Sequence, residues 1–590
     1  MAGNWQTITL PATLSSGGAF GGDLMLLLTD GSLFVHNAYG KEWLRFQPDS
    51  TGGYSGTTWS TVFTESEMAN TREYFASGIL KDGRVFAIGG EDSDAGSDTP
   101  LGEIFDPQTN TWSKVNKPAA FDFICGDCNG AVLSDGRVLL SAPNSLAFPL
   151  SKRTAIWDPH HNTWEEAGLE FGAAPSTTKK DPCMEETFTL LPDGSVLVPD
   201  VQDTPKAQRY IPSLDKWEDC KASPVHLAIT FLSGVEVMET GPTILLSNGE
   251  AFCIGGTGET AIFKPGHHPT SHGAWHKGPV FPTDTSMAPN WPTLTALDAP
   301  ACLMPSGRVI LMGGTTTPDS GDYFSLNPVF LEYDPNSGAT TLPQLDVQPP
   351  LPAGTWTWQC NFLLLPTGQL LCSNHNDNTL LLYMPDPATS APHHSWRPAH
   401  ISVPNEMMHG HTYRLYGTQI NGLSQALGYG DDGGMATNYP IVRMSHVSTG
   451  ETVYLRSHHF STMGVATGDK DPEDLKHCAI DIPAGIPTGH WHLVVIANGI
   501  ESRPVDVEIV TFIHHDGHDY VGKIESLTYD HFGDFKSFTL QTNDGDFKRF
   551  DSREPHMEDL VKRAWQDHLR VKVHTEPQAQ DHPASVSLVH

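Results

Sequence analysis

The sequence lacks long apolar runs, and no stretch approaches the roughly 18 consecutive apolar residues of a membrane span. Its first residues, MAGNWQTITL, contain neither the basic segment nor the continuous apolar segment of a secretory signal. We therefore expect a protein that does not cross a membrane. It is expected to be cytoplasmic, or secreted if the sequence given is a mature form.

Basic residues are also scarce, since 35 Lys and Arg stand against 69 Asp and Glu, a net charge of −34. Nucleic-acid binding requires a basic footprint, and anionic membrane surfaces attract the same residues. We therefore expect neither partner. Repulsion between like-charged molecules keeps a protein soluble, and this benefit explains much of the charge. A small-molecule or glycan substrate is the expected partner, and the oligomeric state stays open.

Cysteine is limited to nine residues, an odd number that rules out complete intramolecular pairing. Cys253, Cys302 and Cys372 lie inside apolar strand patterns, where a free thiol behaves as a small hydrophobe. Cys125 and Cys128 have the C-x-x-C spacing of zinc and redox sites, but no second pair lies nearby in the sequence. Reduced, structural cysteines are therefore expected.

Glycine and proline are plentiful, at 55 and 45 residues, and a turn-centred pattern recurs seven times. Each turn is a two-residue Asx-Gly, Ser-Gly or Thr-Gly step between short apolar strands, and the glycine supplies the positive φ angle of a tight hairpin. The successive spacings are 52, 53, 58, 55, 58 and 61 residues. The turns begin at Asp30, Asp82, Asp135, Asp193, Asn248, Ser306 and Thr367.

The second half of each unit also repeats. A third strand ends near an Asp-Pro step such as Asp106-Pro107, and a fourth strand carries a tryptophan such as Trp112 or Trp164. Four strands with a period near 50 residues are typical of a kelch blade. The pattern predicts an all-β fold in which residues 1–397 form a seven-bladed kelch-like β-propeller.

The repeat stops near residue 398. Residues 398–511 show alternating strands without the repeat and predict an immunoglobulin-type β-sandwich. Residues 512–590 predict a small β-rich C-terminal domain with one helix, over MEDLVKRAWQDHL, and a loose tail, TEPQAQDHPASVSLVH.

A kelch propeller followed by such a sandwich resembles the galactose oxidase and glyoxal oxidase family of copper-radical oxidases. The most specific match is GTQINGLSQALGYGDDGGMATNYPIVR, residues 417–443, which resembles the segment that opens the sandwich in glyoxal-oxidase-like proteins. The resemblance implies a mononuclear copper on the propeller axis. It also implies a cofactor made of a cysteine cross-linked to a tyrosine, and ligands that precede the hairpin turns by eight or nine residues.

Those positions carry other residues here. Tyr74 stands where the family has its cross-linking cysteine, and Asp127 where it has the cross-linked tyrosine. Trp358 and Gln359 replace its tyrosine-histidine pair, whereas His458 matches the histidine supplied by the sandwich. The Cys–Tyr cofactor is therefore expected to be absent. A swapped cross-link between Tyr74 and one of the two cysteines of the C-x-x-C segment remains an alternative.

Other inner positions of the blades suggest a different metal site. The same offset leads to Glu185, Thr240 and Asp298, so several carboxylates could converge with His458. Carboxylates with an imidazole suit one divalent Mn, Fe, Zn or Ca ion, whereas the resemblance implies copper. A solvated polar channel is the alternative that needs no metal.

We therefore expect a metal-dependent oxidoreductase that acts on a small alcohol, aldehyde or sugar in the axial pocket. Two alternatives stay open: a catalytically inactive propeller that binds a glycan or a protein, and a structural role within an assembly. The expected catalytic residues are Tyr74, Asp127, Glu185 and Asp298. The expected substrate-binding residues are Trp358 and Gln359, and the expected metal ligands are His458 and Asp127.

Overall fold

The computed structural model divides the chain into two compact units, Met1–Ile509 and Val510–His590. No helix among the described residues is long and apolar enough to cross a membrane. The described residues are 3–55, 59, 62–95, 99–118, 126, 129–141, 151–168, 179–183, 186–232, 235–266, 268, 271–283, 294–317, 322–375, 377–425, 437–466, 475–511, 518–531, 533–576, 579 and 581–589.

The first part of the larger unit consists almost entirely of short antiparallel strands. In chain order the first of these are β1 (Asn4–Thr9), β2 (Gly22–Leu27), β3 (Leu33–Asn37), β4 (Glu42–Phe46), β5 (Thr64–Glu67), β6 (Ala76–Ile79), β7 (Val85–Ile88), β8 (Gly102–Asp106), β9 (Thr111–Lys114), β10 (Gly130–Val132), β11 (Val138–Ser141), β12 (Thr154–Asp158), β13 (Thr163–Ala167), β14 (Thr189–Leu190) and β15 (Val196–Pro199). They continue with β16 (Ala207–Ile211), β17 (Lys216–Asp219), β18 (Ile229–Leu232), β19 (Val235–Glu239), β20 (Thr243–Leu245), β21 (Ala251–Ile254), β22 (Thr260–Lys264), β23 (Ala274–Lys277), β24 (Ala301–Leu303), β25 (Val309–Thr317), β26 (Asp322–Tyr333), β27 (Phe362–Leu364), β28 (Leu370–Cys372) and β29 (Thr379–Met384).

These strands form successive sheets along the chain. The first sheet is β2–β5, the second β6–β9, the third β10–β13, the fourth β14–β17 and the fifth β20–β23. The sixth contains β24–β26 within the described residues, and β18 pairs with β19 in a two-stranded sheet. The last sheet has the order β1-β29-β28-β27, so the first strand of the chain is its outer strand.

The first strands of these sheets contact one another in the order β6, β10, β14, β20, β24, β27 and β2, and β5 of the first sheet contacts β9 of the second. The glycine of every repeated turn has a positive φ, between 76° at Gly31 and 95° at Gly136, as the hairpins require. The predicted all-β, kelch-like propeller is thereby confirmed. The number of blades and the immunoglobulin-like class of the second domain stay predictions.

The repeated tryptophans join neighbouring sheets. The indole N–H of Trp112 donates to Ser66 Oγ in the first sheet, and that of Trp217 donates to Thr154 Oγ1 in the third. Trp275 donates to the carbonyl of Cys220, which follows the fourth sheet. Each ring therefore covers apolar surface between two sheets and places its one polar atom on the preceding sheet.

The rest of the larger unit has two further antiparallel sheets, with the orders β30-β32-β36-β35 and β31-β39-β37-β33-β34, and β38 pairs with β37. Their hydrogen bonds reach the turn-bearing end of the propeller, for example from Tyr439 to Leu27 and from Phe460 to Lys81. The strands are β30 (Ala399–Ser402), β31 (Glu406–Met408), β32 (Thr412–Thr418), β33 (Ile441–His446), β34 (Thr452–Leu455), β35 (Ser457–His458), β36 (Lys476–Asp481), β37 (Gly489–Ala497), β38 (Ile500–Glu501) and β39 (Val505–Val510).

The smaller unit is a five-stranded sheet of order β42-β41-β40-β43-β44 with one helix. The helix packs Val561 and Ala564 against Phe538 and Phe550 of the sheet. Residues Pro583–Val589, expected as loose tail, instead pair with Arg570–Thr575 and add Leu588 to that core. The elements are β40 (His518–Tyr529), β41 (Phe535–Thr542), β42 (Phe547–Asp551), α1 (Pro555–Gln566), β43 (Arg570–Thr575) and β44 (Pro583–Val589).

Candidate metal centre

Four buried ionisable side chains meet where the first, second and last sheets adjoin. Asp23 lies on β2, His36 on β3, Glu73 just before β6 and His375 just after β28. None of the four is more than 6% exposed. They lie at the end of the inner strands away from the hairpin turns, because β3 and β28 run back from those turns to the level at which β2 and β6 begin.

His36 links the two carboxylates. Its Nδ1 lies 3.4 Å from Asp23 Oδ2 and 3.8 Å from Glu73 Oε2. Its Nε2 lies 3.1 Å from the carbonyl oxygen of Gly40, which can only accept a hydrogen bond. A neutral imidazole that bound a metal ion would keep its hydrogen on Nε2 and direct the Nδ1 lone pair to an ion between the carboxylates. Metal-binding histidines are commonly held in this way by a backbone carbonyl.

His375 lies between the same two carboxylates. Its Nδ1 is 3.2 Å from Asp23 Oδ1, and its Nε2 is 3.7 Å from Glu73 Oε1. Both ring nitrogens are buried, and neither makes a hydrogen bond of acceptable geometry within the described part of the chain. His375 therefore lies within ion-pair distance of both carboxylates without a well-aligned hydrogen bond to either.

Asp23 carries its negative charge in a buried position. Burial by itself would raise the pKa of Asp23, but the adjacent imidazoles of His36 and His375 outweigh it and hold the pKa well below its usual range. The side-chain amide of Asn361 also donates to Asp23 Oδ1 over 3.1 Å.

Glu73 is placed by Gly89-Gly90, which follow β7 of the second sheet. Gly90 has a φ of 104°, and a Cβ there would lie 2.5 Å from the carbonyl oxygen of Glu73. The missing side chain lets the two backbones pair, because Glu73 and Glu91 exchange hydrogen bonds of 2.8 and 3.0 Å. The Glu73 carboxylate then accepts a bond from the backbone N–H of Tyr39.

Aromatic rings adjoin the cluster. The rings of Tyr39 and Trp358 meet His375 edge-on, at centroid distances of 4.7 and 5.5 Å. Tyr74 packs against Trp358 and interacts with the Tyr39 hydroxyl. Tyr39 is 47% exposed, so this aromatic cap, Tyr39, Tyr74 and Trp358, reaches from the buried cluster to solvent. Both tyrosines have left-handed φ angles, 55° and 50°, a strained state for bulky residues that is frequent at functional sites.

The ligand atoms of Asp23, His36 and Glu73 all lie within 4.8 Å of one another, close enough to hold one ion. One imidazole and two carboxylates suit a borderline divalent cation such as Mn²⁺, Fe²⁺ or Zn²⁺. Calcium prefers oxygen ligands alone, and the described cluster has no thiolate for Cu⁺.

The structure brings together some of the residues that the sequence suggested. Tyr74 and Trp358 lie in the aromatic cap. Gln359 is buried beside it, where its side chain accepts from the Trp356 N–H and its carbonyl accepts from the His375 N–H. This arrangement positions His375, and a contact of Gln359 with substrate stays a prediction.

The other predicted site residues lie elsewhere or outside the described residues. His458 lies against the turn at Gly83 and bonds to Asp481 over 3.1 Å. The strand that contains β6 runs from Tyr74, next to Glu73 of the cluster, to Leu80 at the Gly83 turn. Its two ends are roughly 20 Å apart at about 3.3 Å per residue. His458 is therefore not part of the cluster. Asp298 is partly exposed with a φ of 48°, and its catalytic role stays a prediction. Asp127 and Glu185 lie outside the described residues.

Comparison with known proteins agrees with the kelch class. The Kelch motif family matches residues 75–119, which contain the second sheet. No curated protein matches the chain. The chain is therefore described as a kelch-motif β-propeller protein, a class that carries no single activity.

Solved structures similar to the chain share little sequence with it. The structure of YjhT has 12% identity and a TM-score of 0.33, over 55% of this chain and 96% of that one. Raptor of Chaetomium thermophilum has 9% identity and a TM-score of 0.37, over 66% and 30%. YCF48 from Cyanidioschyzon merolae has 10% identity and a TM-score of 0.34, over 64% and 98%.

Proposed function

We propose that the chain is a metal-dependent enzyme in which Asp23, His36 and Glu73 hold one divalent ion. The observation that carries this proposal is the buried convergence of their ligand atoms within 4.8 Å. Without a cation, the Nδ1 lone pair of a neutral His36 would face two carboxylates. A bound ion or a proton on Nδ1 removes that repulsion, and the contact of Nε2 with the carbonyl of Gly40 orients the ring so that Nδ1 faces the carboxylates.

The aromatic cap supports an enzymatic rather than a solely structural role for the ion. Structural metal sites are closed by protein ligands, whereas catalytic sites keep a position open. Here three protein ligands lie beside a cap that reaches solvent through Tyr39. Tyr74 is the proposed substrate contact in this cap. The oxidoreductase class, with a small alcohol, aldehyde or sugar as substrate, is proposed on the resemblance to the galactose oxidase and glyoxal oxidase family.

Elemental analysis of untagged protein tests the metal. We expect close to one Mn, Fe or Zn per chain, and its loss in His36→Gln and Glu73→Gln. His446→Gln is the matched control, because His446 is also buried but bonds to Ser448 and Thr449 away from the cluster. Metal-free wild-type protein whose melting temperature ignores added Mn²⁺, Fe²⁺ and Zn²⁺ would refute the proposal.

An activity screen tests the enzymatic part. The metal-loaded protein is incubated with small alcohols, aldehydes and sugars, and oxygen uptake and product formation are measured. We expect turnover of at least one substrate, abolished by Glu73→Gln and unchanged by His446→Gln. Fully loaded protein that turns over none of them contradicts the proposed enzyme while leaving metal binding intact.

A further inference from the structure

Two residues of the last sheet's hairpin donate hydrogen bonds to Asp23, the proposed metal ligand on the first sheet. Asn361 directly precedes β27 and Ser373 directly follows β28 of that sheet, more than 330 positions along the chain from Asp23. The Ser373 hydroxyl donates to the backbone carbonyl of Asp23 over 2.8 Å. The Asn361 amide donates to its carboxylate over 3.1 Å. Both the backbone and the side chain of Asp23 are therefore fixed by the opposite end of the propeller sequence.

Asn361 is rigidly placed for this contact. It is 5% exposed. Its carbonyl accepts from the Ser373 N–H over 3.0 Å, and its N–H donates to Ser373 Oγ over 3.3 Å. A donor so fixed on Asp23 Oδ1 sets the rotation of the carboxylate, and this rotation keeps the second oxygen 3.4 Å from His36 Nδ1.

We infer that Asn361 is a positioning residue that sets the metal affinity of the Asp23–His36–Glu73 centre. The inference rests on the proposed function. The partner that orients a metal ligand contributes strongly to affinity, and its loss commonly costs roughly 10–100-fold. The last sheet thus contributes to the metal centre without supplying any of these three ligands.

The repeat provides a matched control. Asn129 and Ser141 occupy the same positions relative to the third hairpin turn as Asn361 and Ser373 relative to the last. They pair in the same way, since Asn129 accepts from the Ser141 N–H over 2.9 Å and donates to Ser141 Oγ over 3.0 Å. Asn129 is also fully buried, but its sheet supplies none of the four cluster residues.

Mn²⁺ binding to the full, chelator-treated chain tests the inference. Free Mn²⁺ is measured by electron paramagnetic resonance for wild type, Asn361→Leu and Asn129→Leu. We expect Asn361→Leu to weaken binding roughly 10–100-fold. Asn129→Leu should stay close to wild type, because it perturbs a blade but no metal ligand.

A Co²⁺ spectrum separates positioning from general destabilisation. The visible absorption of the Co²⁺-loaded protein should change in Asn361→Leu and not in Asn129→Leu. If Asn361→Leu does not fold, Asn361→Ser is measured in the same way, with the same direction expected. Wild-type affinity in the folded Asn361 variants, or equal losses in the Asn361 and Asn129 variants, overturns the inference. Wild-type protein that binds no Mn²⁺, Fe²⁺ or Zn²⁺ instead refutes the proposed function.

Discussion

Single residues at the proposed metal centre balance charge inside the protein. Asp23 and Glu73 would be costly to bury as isolated anions, and each lies within 4 Å of both imidazoles. The low pKa of Asp23 means that its ionised form stabilises the folded state. This contribution is complete above the unfolded pKa of ~3.9 and is lost as the pH falls from there towards the folded value.

Asp23→Leu should destabilise the metal-free protein at pH 7 by about 3 kcal/mol, because it leaves buried groups without their partner. Denaturant unfolding with a chelator present measures this, and the difference from wild type should shrink below pH ~4. Asp544→Leu, in an exposed turn, is the control with little expected change. A difference that is the same at pH 3 and pH 7 would contradict the proposed ionisation of Asp23.

At the scale of strands and turns, the repeat predicts part of the candidate site. Counting back from each turn led to Tyr74 and Trp358, because the inner strands have a regular length. The same count overlooked His36 and His375, which follow the first residues of their turns by six and eight positions, His36 on β3 and His375 just after β28. Antiparallel second strands end at the level at which inner strands begin, so counting forward as well would have found both histidines.

Other features could not be read from the turn spacing. The contact of Asn361 with Asp23 joins residues at opposite ends of the propeller sequence, and only the closed ring brings them together. His458 was assigned by resemblance to a family segment, but its strand lies at the turn-bearing end of the propeller. Local pattern therefore determines the blades, whereas the contacts between blades decide which polar residues meet.

A second group of buried charged side chains lies beside the fourth sheet. Lys179 pairs with Glu186 over 3.0 Å, and both side chains are fully buried. Asp200, just after β15, is buried nearby. Burial, with a smaller contribution from Asp181, raises the pKa of Asp200 to about 6 despite the opposing charge of Lys179. Its stabilising contribution is present below the unfolded pKa of ~3.9 and is lost as the pH rises through the folded value.

Asp200→Asn should therefore reduce the loss of stability between pH 4 and pH 7 by about 2 kcal/mol, at roughly 1.4 kcal/mol per pKa unit. The asparagine oxygen can still accept from Gln208, which donates to Asp200 over 2.7 Å. Unfolding free energies of both proteins at the two pH values measure the effect. Parallel pH profiles would show that Asp200 ionises normally.

At the scale of the whole molecule, the propeller sequence is closed by its first strand. All six residues of β1 pair with β29 of the last sheet. Trp5 anchors this strand, because it donates to the Val347 carbonyl over 2.8 Å and packs edge-on against Phe330 at 5.1 Å. Asn361 and His375 flank strands of the same last sheet, so its closure is expected to support the proposed metal centre.

Trp5→Ala should loosen the last sheet more than the others. The lost packing is worth about 2–3 kcal/mol for a partly buried tryptophan. Hydrogen–deuterium exchange should accelerate in Thr379–Met384 of β29, while Thr260–Lys264 of β22, in the fifth sheet, keep their protection. Equal acceleration in both strands would contradict a local role in closure.

An anomalous-difference map recorded at the metal absorption edge, from a crystal of the untagged protein, tests the metal assignment most directly. We expect one peak at about 2.0–2.2 Å from His36 Nδ1 and from carboxylate oxygens of Asp23 and Glu73. An empty cluster in a crystal grown with excess Mn²⁺, Fe²⁺ or Zn²⁺ would contradict the assignment. A peak beside His458 with none at the cluster would move the centre to the other end of the propeller.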